Sequence, residues 1–321
     1  MNNSKTILAT AKSTILSESK AIAGLSAFLN EDFANAVNCI YKGDGRVVIT
    51  GIGKSAIIAS KIVATLNSTG TPAIFMHAAD AIHGDLGTIQ KNDVVICISK
   101  SGNTPEIKML VPLIKLGDNP LIAMTGNPDS FLGKNADFIL NTYVEKEACP
   151  HNLAPTTSTT AQLVLGDALA ICLLDQRGFS SKDFAKYHPG GTLGKKMYLR
   201  VADIIGNNQK PEVNLDTDVK KVIVEISEKM LGVTAVLENN NLVGIVTDGD
   251  IRRMLNKYEN INGLKAKDIM TPNPKTIEVD VLAIKALKDM RARGISQLLA
   301  VDGKSYKGVV HLHNLINEGI I

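Results

Sequence analysis

The length, composition and charge of this chain are those of an ordinary globular protein. Its 321 residues suffice for two domains, and its hydrophobic (45%) and charged (21%) fractions are typical of a soluble fold. The small net charge of +3 and the absence of Trp argue against a nucleic-acid partner, which needs a basic surface or aromatic stacking platforms. The four Cys are scattered without a C-x-x-C pair, so we expect neither a zinc site nor a disulfide framework, and a cytoplasmic location.

The N-terminal region shows no sign of membrane targeting. It lacks the basic start and continuous apolar core of a signal peptide, and no apolar run in the chain suggests a membrane span. The first 40 residues instead predict a helix. Four apolar residues in it follow helical spacing: Ile7, Leu8, Ile15 and Leu16.

Short apolar strands and helices alternate through the rest of the first 195 residues. The strand candidates are VVITG, TPAIFMH, NDVVICIS, NPLIAMTG and ADFILNTYV. A long apolar helix that ends at Gly178 follows them. Strands that are almost wholly apolar predict a doubly wound α/β domain, with a parallel sheet covered on both faces. Such sheets bind ligands at the carboxyl ends of their strands.

An internal repeat begins at Val201. VADII matches AKDIM, and LVGIVTDGDIRRML matches YKGVVHLHNLINEG. Each copy predicts a strand, a helix, two strands and a helix, and neither is long enough to bury a good core alone, so we expect the copies to pack as a pair. The predicted domains are residues 1–197 for the α/β domain and 198–260 and 261–321 for the repeats.

The segment SKSGNTPE, residues 99–106, predicts a phosphate site. It places Ser99, Ser101 and Thr104 around Gly102, where a strand turns into a helix. The free N–H groups and the dipole of a helix N-terminus favour an anion, and Gly allows close approach of a ligand. A helix cap alone needs one hydroxyl, so three indicate a phosphate cradle. Glu106, in the first helical turn, either complements the dipole or acts in the site.

Two further helix starts repeat this pattern. Gly53, Lys54 and Ser55 follow the first strand, but the G-x-x-x-x-G-K spacing of a nucleotide-binding P-loop is missing, which favours a small phosphorylated substrate. A third group of hydroxyls opens the long apolar helix. It comprises Thr157, Ser158, Thr159 and Thr160, with Thr157 or Ser158 expected as the N-cap.

Other candidate polar groups lie in loops. His83 and His188 occur in HGDLG and YHPGG, and Glu147 lies just past the fifth strand. There is no H-E-x-x-H motif and no tight Cys/His group, so we predict no dedicated metal site, although clustered His could hold an adventitious transition ion.

Together these segments resemble a known family. The motifs GIGKS, HAADAIHGDLG, SKSGNTPE, EACPHNLAPTTSTT and HPGGTLGKK are similar to those of the sugar isomerase (SIS) domain of D-arabinose 5-phosphate isomerases, and the repeats resemble a CBS domain pair. The resemblance implies interconversion of D-ribulose 5-phosphate and D-arabinose 5-phosphate, the entry step to the acidic sugar Kdo. It also implies a homotetramer, a sugar-phosphate substrate, no cofactor, and no nucleic-acid or membrane partner.

The resemblance also implies site residues. Its candidate catalytic set falls on Lys54, Glu106, Glu147 and His188, with His83 nearby. Its phosphate-binding hydroxyls fall on Ser55, Ser99, Ser101, Thr104 and the run from Thr157 to Thr160. Lys100 departs from the family pattern, which often has Asn or another small polar residue there. Its charge would strengthen anion binding if it pointed into the loop and would do nothing if it pointed outward.

Aldose–ketose isomerisation suits these residue types. It moves a proton between C1 and C2 through an enediol, which needs a carbon base, an electrophile for the oxyanion and a group that moves hydroxyl protons. We assign these roles to Glu147, Lys54 and His188, with Glu106 orienting His188. A carboxylate base would work best with a pKa that partial burial raises. The alternatives are isomerisation of another sugar phosphate, such as a hexulose 6-phosphate, and a non-catalytic sugar-phosphate sensor.

The repeats suggest regulation. CBS pairs often bind adenosyl ligands through a Thr and an Asp in G-x-x-T-x-x-D, which fall on Thr247 and Asp250 in the first copy. The second copy has His311 and Asn314 at these places. A nucleotide effector, a sugar-nucleotide effector and a purely structural role all remain open.

Overall fold

A computed structural model describes residues 2–206 and 208–320, which form two compact units. The division falls between Phe184 and Ala185. Each unit is described by itself. The domain limits at residues 197 and 260 stay predictions.

The first unit contains the predicted parallel sheet. Its strands are β1 (Val47–Gly51), β2 (Ala73–His77), β3 (Val94–Ile98), β4 (Leu121–Thr125) and β5 (Phe138–Asn141). They lie in the order β2-β1-β3-β4-β5, and every neighbouring pair is parallel. The doubly wound α/β fold is therefore confirmed.

Helices cover both faces of this sheet. They are α1 (Asn2–Gly24), α2 (Glu31–Lys42), α3 (Lys54–Ser68), α4 (Ala78–Ala81), α5 (Pro105–Leu116), α6 (Phe131–Asn135) and α7 (Thr157–Gln176). A further helix, α8 (Ser181–Tyr187), spans the division between the units. The predicted helical character of the first 40 residues is found, but in separate helices, because the chain becomes extended at Leu29 and Asn30. The side chain of Asn30 then caps α2 by accepting a hydrogen bond from the Phe33 N–H.

One apolar core lies on each side of the sheet. One packs β-strand side chains against α2, α3 and α7, and the other packs them against α4, α5 and α6. By length and composition alone α7 could span a bilayer, which the sequence pattern did not lead us to expect. Its residues Leu165, Leu169 and Leu173 lie in the first core, so in this structure α7 is a core helix.

The second unit holds the two repeats in one sheet. Its strands are β6 (Glu212–Asn214), β7 (Val233–Glu238), β8 (Asn241–Thr247), β9 (Thr271–Pro272), β10 (Thr276–Glu278), β11 (Gln297–Asp302) and β12 (Ser305–His311). Its helices are α9 (Thr192–Tyr198), α10 (Val201–Ile205), α11 (Val219–Lys229), α12 (Asp248–Lys257), α13 (Ala266–Ile269), α14 (Ala283–Arg293) and α15 (Leu312–Asn317).

The two copies pair through β8 and β12, where Asn241 lies opposite Ser305. The hairpins β7–β8 and β11–β12 have the same irregularity, since the register shifts after Val236 in the first and after Ala300 in the second. The predicted packing of the two repeats as a pair is confirmed.

Candidate active site

The carboxyl edge of the first sheet brings the predicted phosphate segments together. The strand order reverses between β1 and β3, and at such a switch point the loops diverge and leave a crevice for a ligand. The Gly53–Ser55 turn follows β1, and the segment from Ser99 to Thr104 (the 99–104 loop) follows β3. The N-terminus of α7 and Glu147 follow β5 at the same edge.

The 99–104 loop is a tight, fixed turn. The Ser99 hydroxyl accepts a hydrogen bond from the Gly102 N–H at 3.1 Å. Gly102 has a φ of +63°, and a Cβ on it would lie 2.0 Å from Oγ of Ser130. We expected Gly102 to permit close approach of a ligand. The structure shows that Gly102 also lets the loop pack against Ser130 in a left-handed conformation, and the approach of a ligand stays a prediction.

The hydroxyl of Thr104 makes no hydrogen bond within the described residues. Thr104 is the N-cap of α5, but its side chain makes no capping hydrogen bond, and Pro105 occupies the first helical turn. Its Oγ1 is buried without a hydrogen-bond partner among the described residues, and the same holds for Thr157 Oγ1 at the start of α7. The hydroxyls of Thr50 in β1 and Thr142 just after β5 are also buried without a partner among the described residues. A buried hydroxyl without a partner is costly, so those of Thr104 and Thr157, which stand at helix starts, point to a polar ligand.

Glu147 is the most heavily hydrogen-bonded carboxylate of the site. Its Oε1 accepts from Lys100 Nζ at 2.6 Å and from the Ser158 hydroxyl. Its Oε2 accepts from the backbone N–H groups of Thr156 (2.9 Å) and Ser158 (3.1 Å). The Glu147 N–H in turn donates to the Asn152 side chain at 2.7 Å, which shapes the loop before α7. The carboxylate is therefore fixed by the first turn of α7 and by one side chain from the 99–104 loop.

These contacts decide the ionisation of Glu147. Burial raises the pKa of its carboxyl, but hydrogen bonds from Lys100, Ser158 and Thr156 outweigh burial and lower that pKa from 4.5 to about 2. The raised pKa that suits a carboxylate base is therefore not found, because opposite charge and N–H donors stabilise the anion more than burial destabilises it.

The start of α7 differs from its prediction. The N-cap is Thr156 and not Thr157 or Ser158, and α7 begins at Thr157. The hydroxyls of Thr159 and Thr160 donate back to the Thr156 carbonyl, at 2.8 and 3.1 Å. These two hydroxyls satisfy the helix turn, whereas Thr157 and Ser158 face the interior.

The remaining predicted residues lie around the same edge or outside it. Ser55, in the first turn of α3, donates to Gln162 of α7 at 3.2 Å and so connects two of the helix starts. Lys54 is exposed as the first residue of α3, and His83 is exposed just after α4. Glu106 is half-buried in the first turn of α5. His188 belongs to the second unit, so its part in this site stays a prediction.

Two contributors to the site were not identified from the sequence. Thr156 holds Glu147 and also accepts the Ala148 N–H at 3.0 Å, and Asn152 has a φ of +54° that turns the loop. The left-handed preference of Asn was the available signal for that turn. We considered that the Lys100 side chain points either into the 99–104 loop or outward. It does neither, because its ammonium binds the carboxylate of Glu147.

In the second unit, the predicted nucleotide-binding residues cap a helix. Thr247 and Asp250 form a capping box at α12, in which each binds the other's backbone N–H. Hydrogen bonds from Thr247, Arg253 and Thr271 outweigh the burial of Asp250 and lower its pKa.

His311 and Asn314 form the same type of box at α15. Both copies therefore use the motif positions to begin a helix, and neither observation tests nucleotide binding.

Each of the two units matches a known domain family. Residues 40–172 match the SIS domain family, and residues 201–257 and 266–320 match the CBS domain family. The chain is 45% identical to the arabinose 5-phosphate isomerase KdsD of Pseudomonas aeruginosa over 324 residues, which cover 100% of this chain and 99% of the relative. It is 44% identical to KdsD of Yersinia pestis over 312 residues, covering 97% and 95%.

A solved structure provides a further match. An Escherichia coli CFT073 protein in complex with arabinose 5-phosphate is 42% identical and superposes with a TM-score of 0.57, covering 59% of this chain and 100% of that chain. With its SIS domain followed by two CBS domains, this chain belongs to the arabinose 5-phosphate isomerase family.

Proposed function

We propose that this protein interconverts D-ribulose 5-phosphate and D-arabinose 5-phosphate, and so supplies the sugar from which Kdo is made. The observation that carries the proposal is end-to-end similarity to arabinose 5-phosphate isomerases, including those of Pseudomonas aeruginosa and Yersinia pestis. The geometry is in keeping with it, because the starts of α5 and α7 lie at the same sheet edge as the buried carboxylate of Glu147.

The phosphate group would bind at the N-terminus of α5 and to the hydroxyl of Thr157, since Glu147 already accepts from the backbone N–H groups of Thr156 and Ser158 at the start of α7. The hydroxyls of Thr104 and Thr157, which have no hydrogen-bond partner in the part of the chain that the structure describes, support this placement, as do the exposed Ser101 and the dipole of α5. Gly53 and Ser55, with the rest of the Thr157–Thr160 run, would complete the substrate site.

The proton would move between C1 and C2 through an enediol. Glu147 would take the proton from one carbon and return it to the other, so that no net proton is consumed. Lys54 would stabilise the oxyanion that develops, and His188 would transfer protons between the hydroxyl groups, oriented by Glu106. His83 would contact the substrate.

A coupled assay tests this function. Chelator-treated protein is incubated with D-ribulose 5-phosphate, and D-arabinose 5-phosphate is measured as the product. We expect turnover without added metal or nucleotide. Recovery of activity only after one metal is added would contradict the metal-free mechanism, and turnover of only another sugar phosphate would contradict the substrate.

We also propose a cytoplasmic homotetramer. The four cysteines are free thiols, in keeping with a reducing compartment. Several apolar residues of α1 are exposed in the single chain and would be covered by another subunit: Ile7, Leu8, Ile15 and Leu16. Light scattering on the purified protein would give the mass, and a monomer would contradict the assembly.

The CBS pair would bind a nucleotide or sugar-nucleotide effector at Thr247 and Asp250. Because Asp250 is already bound by Arg253 and Thr271, a ligand would have to replace these partners. Titration calorimetry with adenine nucleotides and the Kdo sugar nucleotide tests this, with Asp250→Ala as the comparison. Equal binding to both proteins would place the ligand elsewhere.

A further inference from the structure

The contact between Lys100 and Glu147 joins the proposed phosphate-binding loop to the proposed carbon base. Lys100 stands in the 99–104 loop, between two serines of the proposed phosphate cradle. Its Nζ lies 2.6 Å from Oε1 of Glu147, the proposed carbon base. Lys100 therefore contacts the proposed base and belongs to the loop that carries proposed phosphate ligands.

The backbone of Lys100 is fixed while its side chain can move. The Lys100 carbonyl accepts hydrogen bonds from the Gly126 N–H at 3.1 Å and from the Thr125 hydroxyl at 3.4 Å. The Lys100 side chain is 46% exposed, whereas that of Glu147 is 0% exposed. The ammonium reaches the buried carboxylate from the solvent side, so it can exchange partners without a change in the fold.

The two oxygens of Glu147 are not equivalent. Oε2 is bound by Thr156 and Ser158, which belong to the start of α7 and hold the carboxylate in place. Oε1 is bound by the Ser158 hydroxyl and by Lys100. Of these donors, Lys100 alone comes from another loop. If it leaves, Oε1 gains a free lone pair and the carboxylate keeps its position.

A carbon base needs such a lone pair, and an ion-paired carboxylate is a weak base. A sugar phosphate carries about −1.5 to −2 charge near neutral pH and attracts the ammonium more strongly than a single carboxylate does. Once the cation leaves, burial of the remaining anion favours its protonation and makes it a stronger base.

We propose that Lys100 is a positioning residue that holds Oε1 of Glu147 in the free enzyme and that the phosphate of the substrate draws it away, which releases the base for proton abstraction. This inference rests on the proposed function. It explains how binding energy from the phosphate, which does not react, contributes to the chemical step.

Two substrates distinguish this role from a structural one. We compare Lys100→Met with wild type on D-arabinose 5-phosphate and on phosphate-free D-arabinose, following exchange of the C2 hydrogen for deuterium by NMR. With the phosphate ester, we expect KM to rise about tenfold, as for loss of one charged contact, and kcat to stay within about threefold. With free arabinose, we expect exchange to become about fivefold faster, because Glu147 no longer has to be released.

Three further variants serve as controls. Lys108→Met removes the same charge from an exposed position on α5 and should leave both substrates unchanged. Lys100→Arg restores the cation and should return both rates toward wild type. Lys100→Gln keeps a hydrogen-bond donor without the charge, and it tests the same release if Lys100→Met does not fold.

The outcomes separate the two proposals. Slower or unchanged exchange of free arabinose in Lys100→Met and Lys100→Gln would overturn the release of the base by phosphate. A more than tenfold fall in kcat on the phosphate ester at unchanged KM would also overturn it, since Lys100 would then act in the chemical step itself. A wild-type protein without turnover of D-arabinose 5-phosphate would contradict the proposed function instead.

Discussion

Ser158 holds Glu147 twice, through its backbone N–H to Oε2 and through its hydroxyl to Oε1. Both residues are buried, with 1% of Ser158 and 2% of Glu147 exposed when backbone and side chain are counted together. A helix N-terminus thus supports a carboxylate in the way it supports a bound anion. The arrangement fixes the direction of the Glu147 carboxylate before any substrate arrives.

Replacement of Glu147 by Gln should remove proton abstraction and leave the site otherwise intact. We expect turnover to fall at least about 100-fold, as for loss of a general base. Substrate binding should persist, because the hydroxyls of Thr104 and Thr157, which we propose as phosphate ligands, make no hydrogen bond to Glu147 in the described residues. Steady-state kinetics and calorimetry with D-arabinose 5-phosphate measure the two effects. Glu145→Gln, an exposed change in the same loop, is the control, and near-normal turnover of Glu147→Gln would transfer the base role to another residue.

Ionised Glu147 should stabilise the folded protein above pH 4.5, and this stabilisation should be lost in strong acid. Its pKa is lowered to about 2 in the folded protein, so this stabilisation is present above the ordinary value of 4.5 and is lost as the pH falls towards 2. Replacement of Lys100 by Met removes one cause of the lowered pKa and should move acid unfolding to higher pH. Circular dichroism during acid titration measures this shift, and an unfolding midpoint equal to that of wild type and of Lys108→Met would contradict it.

Thr104→Val should weaken substrate binding without destabilising the free protein. The buried hydroxyl of Thr104 has no hydrogen-bond partner among the described residues, so its removal costs the free protein little. If it binds the phosphate, KM should rise by roughly tenfold, as for a hydrogen bond to a charged group.

Thr69→Val is the matched control for this change. The Thr69 hydroxyl is buried at the far end of α3 and donates to the Thr65 carbonyl at 2.8 Å. Its loss should cost about 1 kcal/mol of stability and leave KM unchanged. Thermal unfolding and kinetics on both variants test the pair, and an unchanged KM for Thr104→Val would remove Thr104 from the phosphate site.

The cysteines should differ in reactivity towards iodoacetamide. Backbone N–H groups of Ala154, Leu153 and His151 lower the pKa of the Cys149 thiol. Burial raises the pKa of Cys97 to about 12. Because the thiolate is the nucleophile, Cys149 should be alkylated first and Cys97 last, as peptide mass spectrometry would show. Faster modification of Cys97 in the folded protein would contradict this order.

The amino-acid pattern alone determined the parallel sheet, the repeat and the position of the hydroxyl-rich turns. Apolar runs such as Val94–Ile98, bounded by Gly and polar residues, identify buried strands because burial on both faces demands nearly continuous apolar side chains. The carboxyl ends of parallel strands share one edge, so the segments after β1, β3 and β5 could be placed together before any coordinates were known.

Only the tertiary structure decided the partners of the charged groups. Lys100 and Glu147 are separated by 47 residues, and nothing in the local pattern states that their side chains meet. The pKa of Glu147 depends on that meeting and on the first turn of α7, so an expectation based on burial alone had the wrong sign. Local patterns record the conformational preference and hydrophobicity of each segment, whereas the ionisation of a buried group depends on which distant donors the fold brings to it.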